Sequence, residues 1–118
     1  MPRIAVKDGL TREVTLTEAD EGEPLVESCT IKYRPATTAV AMAFDYDFYH
    51  ASSGEKRAAL LIDLIVGHVI GWDFADEDGN PLSPTDRKAV SRIPLQYLTA
   101  MRHSIVKSAF EVGKLLGN

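Results

Sequence analysis

The chain has one cysteine in 118 residues, Cys29. An intrachain disulfide is therefore excluded, and so is any zinc site built on several thiolates. It also lacks a long apolar run. The most hydrophobic stretch, Ala58 to Ile70, is interrupted by Asp63 and His68 and is too short to span a bilayer. The first residues, Met1 to Asp8, show neither the apolar segment nor the cleavage pattern of a secretory signal, so the cytoplasm is the expected compartment. An excess of positive charge is missing as well. With 13 Lys and Arg against 17 Asp and Glu the net charge is −4, which argues against a general nucleic-acid binder. There is one tryptophan, and no glycine-rich phosphate loop or hydrolase nucleophile elbow.

What is present fits one domain of ordinary globular composition, spanning residues 1–118, with 45% hydrophobic and 25% charged residues. The charge is unevenly spread. Residues 1–30 and 54–82 each carry −4, residues 31–53 are neutral, and residues 83–118 carry +4. A basic C-terminal third on an acidic chain can steer encounter with a partner or a second copy, although a solvated helix surface has the same signature.

The expected fold class is α+β, with a strand-rich part over residues 1–35 and a mainly helical part of about four helices over residues 36–118. Ile4 and Val6, then Val14 and Leu16, alternate with polar residues around Asp8-Gly9, which predicts a hairpin. The acidic segment from Glu18 to Pro24 reads as a mobile connector. A third strand is predicted over Leu25 to Tyr33, with Cys29, Ile31 and Tyr33 on one face and Ser28, Thr30 and Lys32 on the other. Residues 36–50 carry two periods at once. Val40, Met42, Phe44, Tyr46 and Phe48 alternate as in a strand, whereas Val40, Phe44 and Phe48 recur every four residues among alanines. The alanines favour a helix, ended by Ser52-Ser53-Gly54.

Residues 55–70 are predicted to form a core helix whose apolar face is Ala58, Leu61, Ile62, Ile65, Val66, Val69 and Ile70, stopped by Gly71. Gly67 within it suggests close approach of another backbone. Asp78-Gly79 marks a turn. Ser83 and Pro84 read as the cap and first residue of a short helix to Arg92, and Pro94 opens a last helix. On that helix Leu98, Met101, Ile105, Ala109, Val112 and Leu116 form one apolar stripe, with His103, Lys107, Glu111 and Lys114 opposite.

Candidate chemistry is sparse. Asp47 and His50 are helical neighbours, with Asp45 nearby, but nothing adjacent completes a metal site. Asp73, Asp76, Glu77 and Asp78 suggest a calcium loop, yet counting back from Gly79 places Phe74 at the first ligand position and Thr85 at the twelfth. Cys29 sits mid-strand without a histidine near it in sequence, and Asp63 and His68 are too far apart around a helix to pair. No catalytic residue, metal or cofactor is expected. The candidate partner-binding residues are Trp72 and Phe74, aromatics flanking an acidic turn, together with Leu98, Met101, Ile105, Val112 and Leu116.

Tyr33-Arg34-Pro35, the apolar helix running into Gly71-Trp72-Asp73-Phe74, then Asp76-Glu77-Asp78-Gly79-Asn80-Pro81-Leu82, and finally Arg92-Ile93-Pro94 before a closing helix, follow one another in an order and spacing that resembles the tail assembly chaperones of long-tailed bacteriophages. The resemblance covers roughly residues 25–110. It implies a non-enzymatic protein of the host cytoplasm, absent from the mature virion. Such a protein coats the tape measure protein, keeps it from aggregating, recruits tail tube subunits and self-associates into homo-oligomers. No membrane or nucleic-acid partner is implied. Residues 36–50 depart from the family pattern, being aromatic and alanine-rich where a more charged helix is expected. Two other readings compete: a structural tail completion or connector subunit retained in the particle, and an enzyme or ligand binder whose pocket would be lined by Asp45, Asp47 or His50.

Overall fold

The computed structural model describes residues 10–19 and 22–116, with side chains up to Lys107. The predicted strand at Ile4 and Val6 and its Asp8-Gly9 turn lie outside the described residues. The protein is α+β: a three-stranded antiparallel sheet and four helices.

Strand β1, Arg12–Glu18, pairs antiparallel with β2, Pro24–Tyr33, placing Val14 opposite Ile31 and Leu16 opposite Cys29. Side chains alternate across a strand, so Leu16, Cys29, Ile31 and Tyr33 all fall on one face and are buried, as the alternation predicts. On the outer face Thr15 Oγ1 meets Thr30 Oγ1 at 3.0 Å, a cross-strand pair. The segment read as a mobile connector is the turn of this hairpin. Ala19 N–H donates to the Glu23 carbonyl at 2.7 Å, and Gly22 takes a φ of 85°, a conformation that favours glycine.

Helix α1, Thr38–His50, starts at Thr37, whose Oγ1 accepts from the Val40 N–H at 3.2 Å. Helix α2, Gly54–His68, starts in the same way at Ser53, whose Oγ accepts from Lys56 N–H at 3.2 Å. The helix stops two residues earlier than the periodicity predicts. Val69–Trp72 forms β3, the far edge of the sheet, with Val69 opposite Tyr33 and Trp72 opposite Ile31. The switch follows from the open edge of β2. There, β-branched Val69 and Ile70 satisfy their backbone in a ladder, and strand alternation buries Val69 while Ile70 stays 40% exposed. A helix would have turned both to the core. Within α2 the buried residues are Leu61, Leu64 and Ile65, and Ala58 is exposed. Among the described residues nothing lies within 4 Å of a Cβ placed on Gly67, so none of them makes the close approach it suggests.

Residues 73–82 fold back as a small loop closed by the Ala75–Pro81 bridge, with Gly79 at φ 82° in the Asp78-Gly79 turn. The short helix α3, Arg87–Ser91, begins later than Ser83-Pro84 predicts. Ser83 is used in a local turn, its Oγ accepting from Thr85 N–H at 3.3 Å, while Asp86 caps the helix by accepting from Lys88 N–H at 3.0 Å. Serine and aspartate both bind nearby backbone, and here the serine stabilises a turn in place of a helix start. Helix α4, Leu95–Leu116, opens at Pro94, whose carbonyl accepts from Tyr97 and Leu98.

The helices pack on the sheet face that carries Ile31 and Tyr33. Helix α4 lies against β1, β2, α1 and α2, while α2 also meets α1 and α3. Ile31, Ile65, Val69, Val90, Met101 and Ile105 are the largest fully buried side chains, and they belong to one core cluster. Sheet and helices are therefore cooperative, because each supplies the apolar surface that covers the other.

Candidate partner-binding surface

Trp72 and Phe74 close the rim of this core. Their rings meet edge to face at 5.1 Å, and Phe74 meets Tyr97 in the same manner at 5.2 Å, a favourable geometry for aromatic quadrupoles. The indole Nε1 donates to the Leu82 carbonyl at 2.6 Å, tying the 73–82 loop back onto β3. Both residues are half-buried against the core. They act here as a seal, with their hydrogen-bonding and stacking capacity used inside the chain.

The same region blunts a strand edge. Beyond Ile31, β2 has no β3 partner on this side. Asp73 takes over at Thr30, whose N–H donates to its carboxylate at 3.2–3.3 Å. Tyr97 takes over at Glu27, its hydroxyl accepting from the Glu27 N–H at 3.2 Å and donating to the Glu27 carbonyl at 2.7 Å. A phenol and a carboxylate thus replace ladder partners and protect an edge that would otherwise invite another strand.

The stripe expected to meet a partner turns inward. Leu98, Met101 and Ile105 are buried under the sheet and helices, Met101 and Ile105 completely. Periodicity identified the right face of α4, but the chain's own sheet covers it. The side chains of Val112 and Leu116 lie outside the described residues.

Among the described residues the exposed large hydrophobics Leu10, Val26, Ile70 and Leu95 lie apart from α1, whereas several stand together on α1. Only Ala41 and Phe44 of this helix are buried, with Phe48 packed partly against the core. On the other side Met42, Tyr46 and Tyr49 are 61%, 64% and 75% exposed. They stand at spacings of four and three, hence in one row, with exposed Ala39 and Ala43 beside them. The His50 ring stacks on Tyr46 at 4.1 Å and its Nδ1 lies 2.8 Å from the Tyr46 carbonyl, stiffening the end of the row. The signal is in the sequence: alternation and four-residue recurrence together mean a helix apolar on more than one side, and one packed on a small core covers only one of them. Taking about 200 Å² for each of the three large side chains, methionine included, the row leaves roughly 400 Å² of largely apolar surface in water, in the range of functional patches on monomers.

Reactive chemistry does not converge anywhere among the described residues, where no group of three potential metal ligands exists. Asp45 lies 3.8 Å from Arg102 Nη2, and the guanidinium covers the Phe48 ring at 5.3 Å from its centroid. His50 Nδ1 is engaged with the Tyr46 carbonyl at the helix end and Asp45 with Arg102. In the acidic loop, Asp76 Oδ1 accepts from Asp78 N–H and Asn80 N–H, each at 2.9 Å. These donors, Asn80 first, hold its carboxyl below the usual range, which marks it as a turn brace. Burial, helped by the Asp73 carboxylate, pushes the Cys29 thiol up to about 11, the opposite of an activated nucleophile. Asp63 pairs with Arg87 of α3, not with His68. An open cleft of about 420 Å³ runs between β1 and α4, lined by Arg12, Tyr33, His103, Ser104 and Lys107, each already engaged in another interaction. No described helix is long and apolar enough to cross a membrane.

No family model, no curated protein and no solved structure matches this chain.

Proposed function

We propose that this protein is a tail assembly chaperone of the kind made by long-tailed bacteriophages. It works by binding, without catalysis: it shields the tape measure protein in the host cytoplasm, brings tail tube subunits to it, forms homo-oligomers along it, and is left out of the finished particle. The reading rests on the order of short motifs from Tyr33 to Pro94 and on one structural observation, the solvent-facing row of Met42, Tyr46 and Tyr49 on α1. Tyrosine and methionine without lysine or glutamate is the composition of interface centres. A helical client laid on such a row at many copies along its length would be held by multivalency, and each weak contact could still be displaced by a polymerising tube.

The test is to look for a long tape measure reading frame beside the gene and to co-express its product with this chain. The client stays in the soluble fraction with the wild-type chain and precipitates with a Tyr46→Lys, Tyr49→Lys chain. A client that is soluble alone would refute the reading. Mass spectrometry of purified particles addresses the competing role, since a connector subunit would be present in them and a chaperone would not.

A further inference from the structure

We infer that the α1 row receives a single amphipathic helix whose apolar seam is flanked by lysine or arginine, and that it is not the contact between two copies of this chain. The inference rests on the partner-binding role proposed above and adds the chemistry of the occupant.

The carboxylates beside the row are not matched by any lysine or arginine on their own helix. Helix α1 contains no lysine or arginine, and its two charged residues are Asp45 and Asp47. Successive residues are about 100° apart on a helix, so these carboxylates stand on either flank of Tyr46. Asp45 is partly compensated by Arg102 at 3.8 Å, while Asp47 is exposed and has no ion-pair partner among the described residues. The cations next along the chain are turned away to local acceptors, Lys56 to Ser52 Oγ at 2.9 Å and Arg57 to the Ala51 carbonyl at 3.4 Å. An occupant with a cationic rim is attracted on both sides; one with an acidic rim is repelled on both.

A second copy fits poorly. Pairing two antiparallel α1 helices about a two-fold axis at Tyr46 sets Asp47 beside the other copy's Asp47 and Asp45 beside its Asp45, and a parallel pair sets Asp47 beside Asp45, like charge against like in both cases. The available area also falls short, roughly 400 Å² against about 800 Å² per partner in a standard stable interface. Nor can the described part of the α4 row of another copy, Leu98, Met101 and Ile105, supply the seam, because it is already buried. The shape suits a helix: from Met42 to Tyr49 the ridge runs about 10 Å, two turns, with the shallow groove of Ala39 and Ala43 alongside to take the ridge of another helix.

The experiment uses the full chain and two labelled peptides of about 18 residues, each with a leucine seam, one flanked by lysine and the other by glutamate. Binding is read by fluorescence anisotropy at low salt, and mass by sedimentation velocity. The lysine peptide is expected to bind at least about tenfold more tightly than the glutamate peptide, and Tyr46→Ala or Tyr49→Ala to weaken it at least about tenfold while the thermal midpoint is kept. Asp47→Lys is expected to shrink or reverse the preference. Equal binding of the two peptides, binding of neither, or a wild-type dimer that Tyr46→Lys dissociates would each overturn the inference. Its failure is separable from that of the chaperone role. If the tape measure candidate is soluble alone but the lysine peptide binds through Tyr46, only the chaperone role falls. If the client needs this chain and the peptide ignores Tyr46, only the present inference falls.

Discussion

Replacing Met101 by alanine separates the two apolar rows of this protein by their work. Met101 is completely buried in the cluster formed by the sheet, α2 and α4. Truncation to alanine removes its transfer free energy and leaves a cavity that the surrounding side chains only partly fill, a loss of about 2–5 kcal/mol. For 118 residues, an unfolding entropy near 2.1 cal/mol/K per residue sums to roughly 0.25 kcal/mol/K. A loss of about 3 kcal/mol then lowers the thermal midpoint by about 12 °C. The parallel variant Tyr46→Ala removes a side chain that is 64% exposed, so its change stays within about 0.5 kcal/mol, or about 2 °C. Thermal melts followed by circular dichroism, with urea titrations to check that the m-value is constant, measure both. The reverse ranking, with Met101→Ala silent and Tyr46→Ala destabilising by several kilocalories, would refute the assignment of α4 to the core and of α1 to the surface.

Three further outcomes follow from local geometry. Tyr97→Phe keeps the ring against Phe74 but deletes both hydrogen bonds to Glu27, so stability falls by about 1–2 kcal/mol and hydrogen exchange at the Glu27 amide accelerates; unchanged exchange there would mean the hydroxyl does not guard the β2 edge. Ser53→Ala removes the acceptor that starts α2 and costs about 1 kcal/mol in urea denaturation, with Ser53→Asp restoring it. At pH 8 the Cys29 thiol, titrating at about 11 against an ordinary 9.0, holds about 100-fold less thiolate than a free cysteine and is correspondingly slow towards a disulfide reagent. Because the folded state keeps the proton more tightly, Cys29 adds stability that is complete below about pH 9 and is lost as pH rises towards 11; Cys29→Ala flattens that alkaline limb of a stability–pH profile.

Much of the secondary structure follows from short-range chemistry. The burial of Cys29, Ile31 and Tyr33 follows from alternation alone, and the turn at Gly79 from an aspartate–glycine pair that tolerates positive φ. The end of α2 was not legible, because Ile65, Val66, Val69 and Ile70 suit a helical stripe as well as a strand, and the choice was made by the vacant edge of β2, which lies far away in sequence. The start of α3 was misread for a similar reason, since Ser83 and Asp86 are both competent caps and only the fold of the 73–82 loop sets where the chain can begin to coil. The candidate surface was half legible. Phe44 and Phe48 inward with Met42 and Tyr46 outward is the double period of residues 36–50, whereas Tyr49 lies outside that alternation; of the residues expected at a partner, Trp72, Phe74, Leu98, Met101 and Ile105 pack within the chain's own core or on its rim.

The amino-acid sequence by itself determined which segments form helices and turns, because caps, prolines and glycine turns act within a few residues, although at α3 it left two competent caps, Ser83 and Asp86, to choose between. It also determined which rows of side chains avoid water. Which row remains in contact with water was decided only by the tertiary structure. Apolar burial is non-directional and rewards any cover equally, so a stripe seals its own core or waits for another chain according to what the rest of the fold lays over it. Here the sheet and α2 lie over the α4 row from Leu98 to Ile105, and α1, apolar on two opposite sides, is left with its tyrosines facing out.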